Sequence, residues 1–225
     1  MKFALSMIFL AAFIVTSVIH LKDSWKQDQE KRAKTKPFLL IFLLVFYLLS
    51  AKNISIFLSI ALFASWLGDV LLIPKGNKWF TLGGIAFAIS HLFFILTYIP
   101  GIDFSKVPWV QIVLLAVIYY GISFFIIRML KDSVPKMMKV PMYLYLLCNS
   151  TMNLFAYMQM HAAWAPGAVI AYIGAVFFFI SDTTLFLVRY YKDPNLIFKR
   201  HFTVMLTYLI GEFMIAFGIS MLGKF

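Results

Sequence analysis

Charge is scarce in this chain. Only 13% of its 225 residues are Asp, Glu, Lys or Arg, while 63% are hydrophobic; soluble domains carry about 25% charged and roughly 45–50% apolar residues. A soluble fold of this size cannot hide 25 Phe, 11 Tyr and 5 Trp and still coat its outside with so few charges. The shortage excludes a soluble enzyme, a disordered chain and a nucleic-acid-binding domain. Acids are scarcer still: nine Asp and Glu stand against twenty Lys and Arg, a net charge of +11. In a membrane protein such a basic excess orients the chain and meets anionic lipid heads. Cysteine is almost missing, and the single Cys148 allows no internal disulfide. Also lacking are a G-x-S-x-G elbow, an H-E-x-x-H pair, a Walker A loop and a G-x-G-x-x-G turn. His91 has no ligand partner at i, i+4 spacing, so no metal is expected, nor any cofactor.

What is present is a series of apolar runs, at about 3–21, 37–50, 54–73, 79–99, 107–130, 141–161, 165–190 and 201–222. They predict an all-α polytopic membrane protein of eight transmembrane helices in one domain over residues 1–225, with no separate soluble part. Met1–His20 has Lys2 ahead of an apolar run but no small-residue cleavage pattern, so it reads as a retained first span. The break at Ala51-Lys52-Asn53 is decided by charge. With it, sixteen of the twenty Lys and Arg fall in the connections 22–36, 74–78, 128–140 and 189–200, and Lys2, Lys52, Lys106 and Lys224 fall on the other side. The positive-inside rule then puts both termini outside the cytoplasm, a bacterial inner membrane being the expected location. Pro37 and Pro141 are expected in the first turns of spans 2 and 6, where a missing N–H costs nothing, which leaves span 2 short. Gly68-Asp69 and Ser181-Asp182 in spans 3 and 7, with Phe80-Thr81 and Phe202-Thr203 opening spans 4 and 8, suggest a four-plus-four parallel repeat.

The polar residues inside the spans carry the functional signal, because a charge in hydrocarbon costs at least about 2.5–3.5 kcal/mol. Counted at about 1.5 Å per residue, Asp69, Asp182, Asn149, Glu212, His91 and Asn153 lie between roughly 6 and 18 Å from the inner end. Tyr145, Asn149 and Asn153 recur at i, i+4, i+8; Tyr208 and Glu212 share a face, as do Gly84, Phe87 and His91. His20, His161 and His201 fall at helix ends and read as interfacial. No Lys or Arg sits deep enough to neutralise the acids cheaply; Lys36 and Arg189 could reach them from the inner boundary, with topological anchoring as the alternative for both. Acids without a close cation can share a proton, a state suited to general acid catalysis. Alternatives are a hydrogen-bond network that merely joins helices, a small-solute transporter, a non-catalytic lipid-binding protein, and an enzyme acting on another membrane ether or ester.

Six motifs occur in order: Thr35-Lys36-Pro37; Gly68-Asp69-Val70-Leu71-Leu72; Gly84-x-x-Phe87-x-x-x-His91; Tyr145 with Met152 seven later; Gly174-Ala175-x-x-Phe178-x-x-Ser181-Asp182; and Thr207-Tyr208. The ordered set resembles the YhhN family of lysoplasmalogenases. That resemblance implies an eight-span enzyme that hydrolyses the vinyl-ether bond of lysoplasmalogens to a fatty aldehyde and a glycerophospho-base. Its partners would be a lysophospholipid substrate and the surrounding membrane lipids. The resemblance carries catalytic roles to Asp69, Asp182 and His91, and substrate binding to Lys36, with Tyr145, Asn149, Asn153, Tyr208 and Glu212 as further substrate-side candidates. Two positions depart from the family pattern: Glu212 replaces a usual Gln, and Phe94 an aromatic that is often Tyr.

Overall fold

A computed structural model describes residues 2–223. These form eight α-helices and no strand: α1 Lys2–Trp25, α2 Gln29–Ser50, α3 Ile56–Leu71, α4 Asn77–Tyr98, α5 Trp109–Leu130, α6 Lys136–Ala163, α7 Pro166–Tyr190 and α8 His201–Leu222. A helix satisfies every interior backbone group by itself, which hydrocarbon demands. Six of the eight (α1, α2, α4, α5, α7 and α8) are long and apolar enough to cross a membrane. Of the other two, α3 is shorter, at 16 residues, and α6 runs for 28 residues and carries the Asn149–Asn153 stripe. Large apolar side chains such as Val110, Val113, Val117 and Phe124 on α5 face outward. The chain is a multi-pass integral membrane protein.

The break at Ala51–Asn53 is real: α2 ends at Ser50 and Ser55 caps α3, its hydroxyl accepting the Leu58 N–H at 3.2 Å. Two boundaries move. α2 begins at Gln29, so Pro37 is not in its first turn but well inside the helix, and the 22 residues reach about 33 Å. The expected short span therefore disappears. The cause is local: Glu30, Lys31, Arg32, Ala33 and Lys34 are good helix formers. Asp28 caps them, accepting the Lys31 N–H at 3.1 Å with the Lys31 ammonium 3.1 Å away. These two contacts hold the partly exposed Asp28 carboxyl below its usual range. Likewise α6 begins at Lys136, placing Pro141 inside it rather than at its start.

Consecutive helices pack side by side except α4 and α5, α8 closes onto α1 and α2, α4 meets α6, and α5 lies outside on α6 and α7. The basic connections gather at one end. There Gln27 Nε2 donates to the Lys199 carbonyl at 2.8 Å, Arg189 Nη2 to Asn77 Oδ1 at 3.1 Å, and the Thr81 hydroxyl meets Met138 Sδ at 3.0 Å. At the other end Asn53 Nδ2 donates to the Gly223 carbonyl at 2.9 Å. Lys224, assigned by charge to that end, lies outside the described residues. The tightest seam joins α7 to α8, where glycines lie backbone to backbone. A Cβ on Gly174 would stand 2.8 Å from the Gly211 carbonyl oxygen, and one on Gly211 2.9 Å from that of Gly174. This seam fixes Asp182 on α7 relative to Tyr208 on α8.

Candidate functional site: two acids beneath a basic mouth

A cavity of about 410 Å³ opens at the basic end, walled by α1, α2, α3, α4, α7 and α8. Asp69, near the inner end of α3, and Asp182, on α7, both line it, each almost fully buried. Lys36 and Tyr208 line it as well.

The two acids have different neighbours. Asp69 Oδ1 lies 3.2 Å from the Lys36 ammonium, and its Oδ2 accepts the Tyr208 hydroxyl at 2.9 Å. This corrects the expectation that no Lys or Arg sits deep enough to neutralise the acids: the extended α2 carries Lys36 inward, its flexible stem burying most of the side chain while its head meets Asp69. Asp182 has no Lys or Arg at ion-pair distance among the described residues. Its Oδ2 accepts Asn149 Nδ2 at 2.9 Å, and His91 Nε2 stands 3.2 Å from the same oxygen but off line for a hydrogen bond. The Tyr145 hydroxyl faces this carboxyl too. One turn deeper, Asn153 Nδ2 donates to the Asn149 carbonyl at 3.0 Å and to its Oδ1 at 3.3 Å, which turns the Asn149 amide N–H toward Asp182. The surroundings are aromatic: the His91 ring lies 4.9 Å from that of Phe178 and 5.2 Å from that of Tyr145, and Tyr208 lies 5.8 Å from Phe87.

Of the nine residues singled out in the sequence, four therefore line the cavity. His91, Tyr145 and Asn149 stand behind Asp182, and Asn153 supports Asn149. Glu212 is the exception: fully buried one turn beyond Tyr208, it lies off the cavity, and neither of its carboxyl oxygens has a hydrogen-bond partner. Ser65 lies beside it, but the Ser65 hydroxyl is 2.7 Å from that of Ser90.

The structure adds a group that the sequence reading left at the interface. His20, Arg32, Arg200 and His201 all line the cavity mouth. His20 is only 1% exposed, its Nδ1 lying 2.8 Å from Thr35 Oγ1. The tripeptide Thr35-Lys36-Pro37 thus joins three elements: Thr35 holds His20 of α1, Lys36 holds Asp69 of α3, and the Pro37 carbonyl accepts Trp66 Nε1 at 2.8 Å. A signal for the mouth was present: Arg32 and Lys36 are four apart and share a face once the stretch is helical. Among the described residues no three His, Cys, Asp or Glu side chains are grouped as metal ligands.

The fold and the site together define a multi-pass helical membrane protein with two buried acids beneath a cationic cavity mouth. More particularly, residues 31–219 match the YhhN family, and the chain belongs to it. No curated protein and no solved structure matches the chain.

Proposed function

We propose that the protein is a lysoplasmalogenase-like hydrolase that cleaves the vinyl ether of a lysoplasmalogen by carboxylic acid catalysis. The observation that carries this reading is the unequal pair of buried acids in one cavity that is open to water and rimmed by cations. A vinyl ether needs no strong nucleophile. A proton moves to its β-carbon, the resulting oxocarbenium ion takes water at the α-carbon, and the hemiacetal collapses to a fatty aldehyde and the free glycerol hydroxyl. The demands match those of glycosidases: one acid that donates and one carboxylate that faces the cation and orients water. Asp182, next to an amide and an imidazole and no ammonium, suits the donor. Asp69, paired with Lys36, suits the carboxylate, and Tyr208 fixes its geometry. Asp69 takes the proton released by the attacking water, Asp182 is reprotonated through the open cavity, and His91 packs behind Asp182 at 3.2 Å. Asn149, with Asn153 and Tyr145 behind it, holds Asp182 in place. The glycerophospho-base leaves through the basic mouth, and the chain lies among the aromatic helices.

In this reading all eight helices cross a bacterial inner membrane, the basic end faces the cytoplasm and both termini face away. Helix neighbours support a four-plus-four repeat: shifting each label by four turns the α3–α4 contact into α7–α8, α2–α3 into α6–α7, α1–α2 into α5–α6, and α4–α6 into α8–α2. A C-terminal reporter active only in the cytoplasm is expected to stay silent; signal from it would overturn this orientation. The function is tested by incubating purified protein with lysoplasmenylethanolamine and its alkyl-ether analogue. Aldehyde release from the vinyl ether alone is expected, and no turnover of the vinyl ether would end the proposal.

A further inference from the structure

The mouth of the cavity holds a charge arrangement that the two acids do not explain. His20 from α1, Arg32 from α2, and Arg200 with His201 from the start of α8 stand along one wall. Lys36 stands on the same wall, but its ammonium is already committed to Asp69. The arginines have no such partner: among the described residues no carboxylate lies within ion-pair distance of either. Both arginine Nε atoms are buried without a hydrogen-bond acceptor. The group is nevertheless held in place. Arg200 Nη2 donates to the Val188 carbonyl at 2.7 Å, and His20 Nδ1 is engaged by Thr35. Lys199 and Arg200 both have positive φ, 48° and 40°, and Gln27 clasps the Lys199 carbonyl. Two half-buried guanidinium groups, each with a buried Nε that meets no acceptor among the described residues, stand beside two imidazoles, an arrangement suited to an anion.

We infer that His20, Arg32, Arg200 and His201 cradle the phosphate of the lipid head group, and that the protein reads this phosphate and not the base attached to it. The inference rests on the hydrolase reading for the rest of the substrate. Guanidinium forks match phosphate oxygens in pairs. Arg32 lies one helical turn from Lys36, about 6 Å along α2, a separation comparable to that between the first-carbon oxygen and the third-carbon phosphate of glycerol. A phosphate at Arg32 therefore leaves the ether oxygen beside the acids. Nothing on the wall suits a head-group cation. Among the described residues the only carboxylates lining the cavity are the two at its floor, and the Phe80 face is covered by the Arg189 guanidinium, 3.9 Å from the ring centroid. Ethanolamine and choline then project into water and contribute equally little.

The test is a binding measurement on the purified full chain in nanodiscs, with probes that cannot be cleaved. They are alkyl-ether lysophosphoethanolamine, alkyl-ether lysophosphocholine and the phosphate-free 1-alkylglycerol. The two phospholipids are expected to bind within about threefold of one another and the alkylglycerol about tenfold more weakly or worse. R32Q/R200Q should weaken both phospholipids about tenfold and leave the alkylglycerol unchanged. R32K/R200K, which keeps the charge but loses the fork, should fall between and stands in if the glutamine variant does not fold. Glycerol 3-phosphate and inorganic phosphate serve as competitors: displacement shows that free phosphate suffices, and none assigns the site to phosphate carried on a lipid. Equal binding of all three probes, a strong preference for one base, or unchanged phospholipid binding in both variants would overturn the inference. Because no turnover is read, a protein inert toward vinyl ethers would end the hydrolase reading without touching this one.

Discussion

Asp69 and Asp182 line one cavity at the same end of the bundle, yet their surroundings are built on different principles. Asp69 meets a full positive charge and a phenol, from Lys36 and Tyr208. Asp182 meets an amide and an imidazole, from Asn149 and His91. An ammonium at 3.2 Å brings a full opposite charge to Asp69, while the single neutral amide donor of Asn149 brings none to Asp182. Two identical side chains can thus be assigned opposite tasks by the helices that face them.

The largest effect expected from breaking this contrast is on turnover. Asp182→Asn and Asp69→Asn should each lower the rate of aldehyde release by about 10²–10⁴-fold, the usual weight of a positioned acid or base, while the folded helical content measured by circular dichroism is kept. Wild-type rates in either variant would reduce that residue to a helix contact. Lys36→Met should act mainly on stability, since it strands Asp69; removing one partner of a buried pair costs about 3–5 kcal/mol. Thermal unfolding of Lys36→Met compared with Lys36→Met/Asp69→Asn checks this, because the double variant should recover most of the loss. Asn149→Leu removes a donor to Asp182, and a hydrogen bond between uncharged groups is worth about 0.5–1.5 kcal/mol. Here the loss should appear in kcat more than in KM. Asn153→Ala, which only frees the Asn149 amide to turn, should show a weaker version of the same split.

The smallest effect is expected at Glu212. It is buried, unpartnered and off the cavity, so Glu212→Gln should keep activity near wild type and leave stability unchanged or raised, because an amide is cheaper than a carboxyl to bury without a partner. A dead Glu212→Gln enzyme would move the catalytic centre one turn deeper along α8.

The helices and the polar stripes were legible because hydrocarbon permits little else. Long apolar runs separated by basic connections describe the bundle, and Asn149 with Asn153, or Tyr208 with Glu212, reveal their faces by spacing alone. The helix ends were not legible. The charge-rich residues 29–36 read as a loop by hydropathy, whereas capping by Asp28 and helix propensity make them two turns of α2. That single displacement hid the Lys36–Asp69 pair. The mouth was hidden for another reason: His20, Arg32, Arg200 and His201 belong to three distant segments, and a lone histidine at a helix end has no periodic partner to mark it. Glu212 shows the converse, since sharing a helix face with Tyr208 did not bring it to the cavity wall.

The division of labour between the two acids is tested most directly by infrared spectroscopy of the Glu212→Gln protein in lipid at neutral pH. Glu212, an unpaired carboxyl, is removed so that its own signal cannot interfere. A protonated carboxylic C=O band is expected, unchanged by Asp69→Asn and abolished by Asp182→Asn. A band that vanishes with Asp69→Asn and survives Asp182→Asn would contradict the assignment.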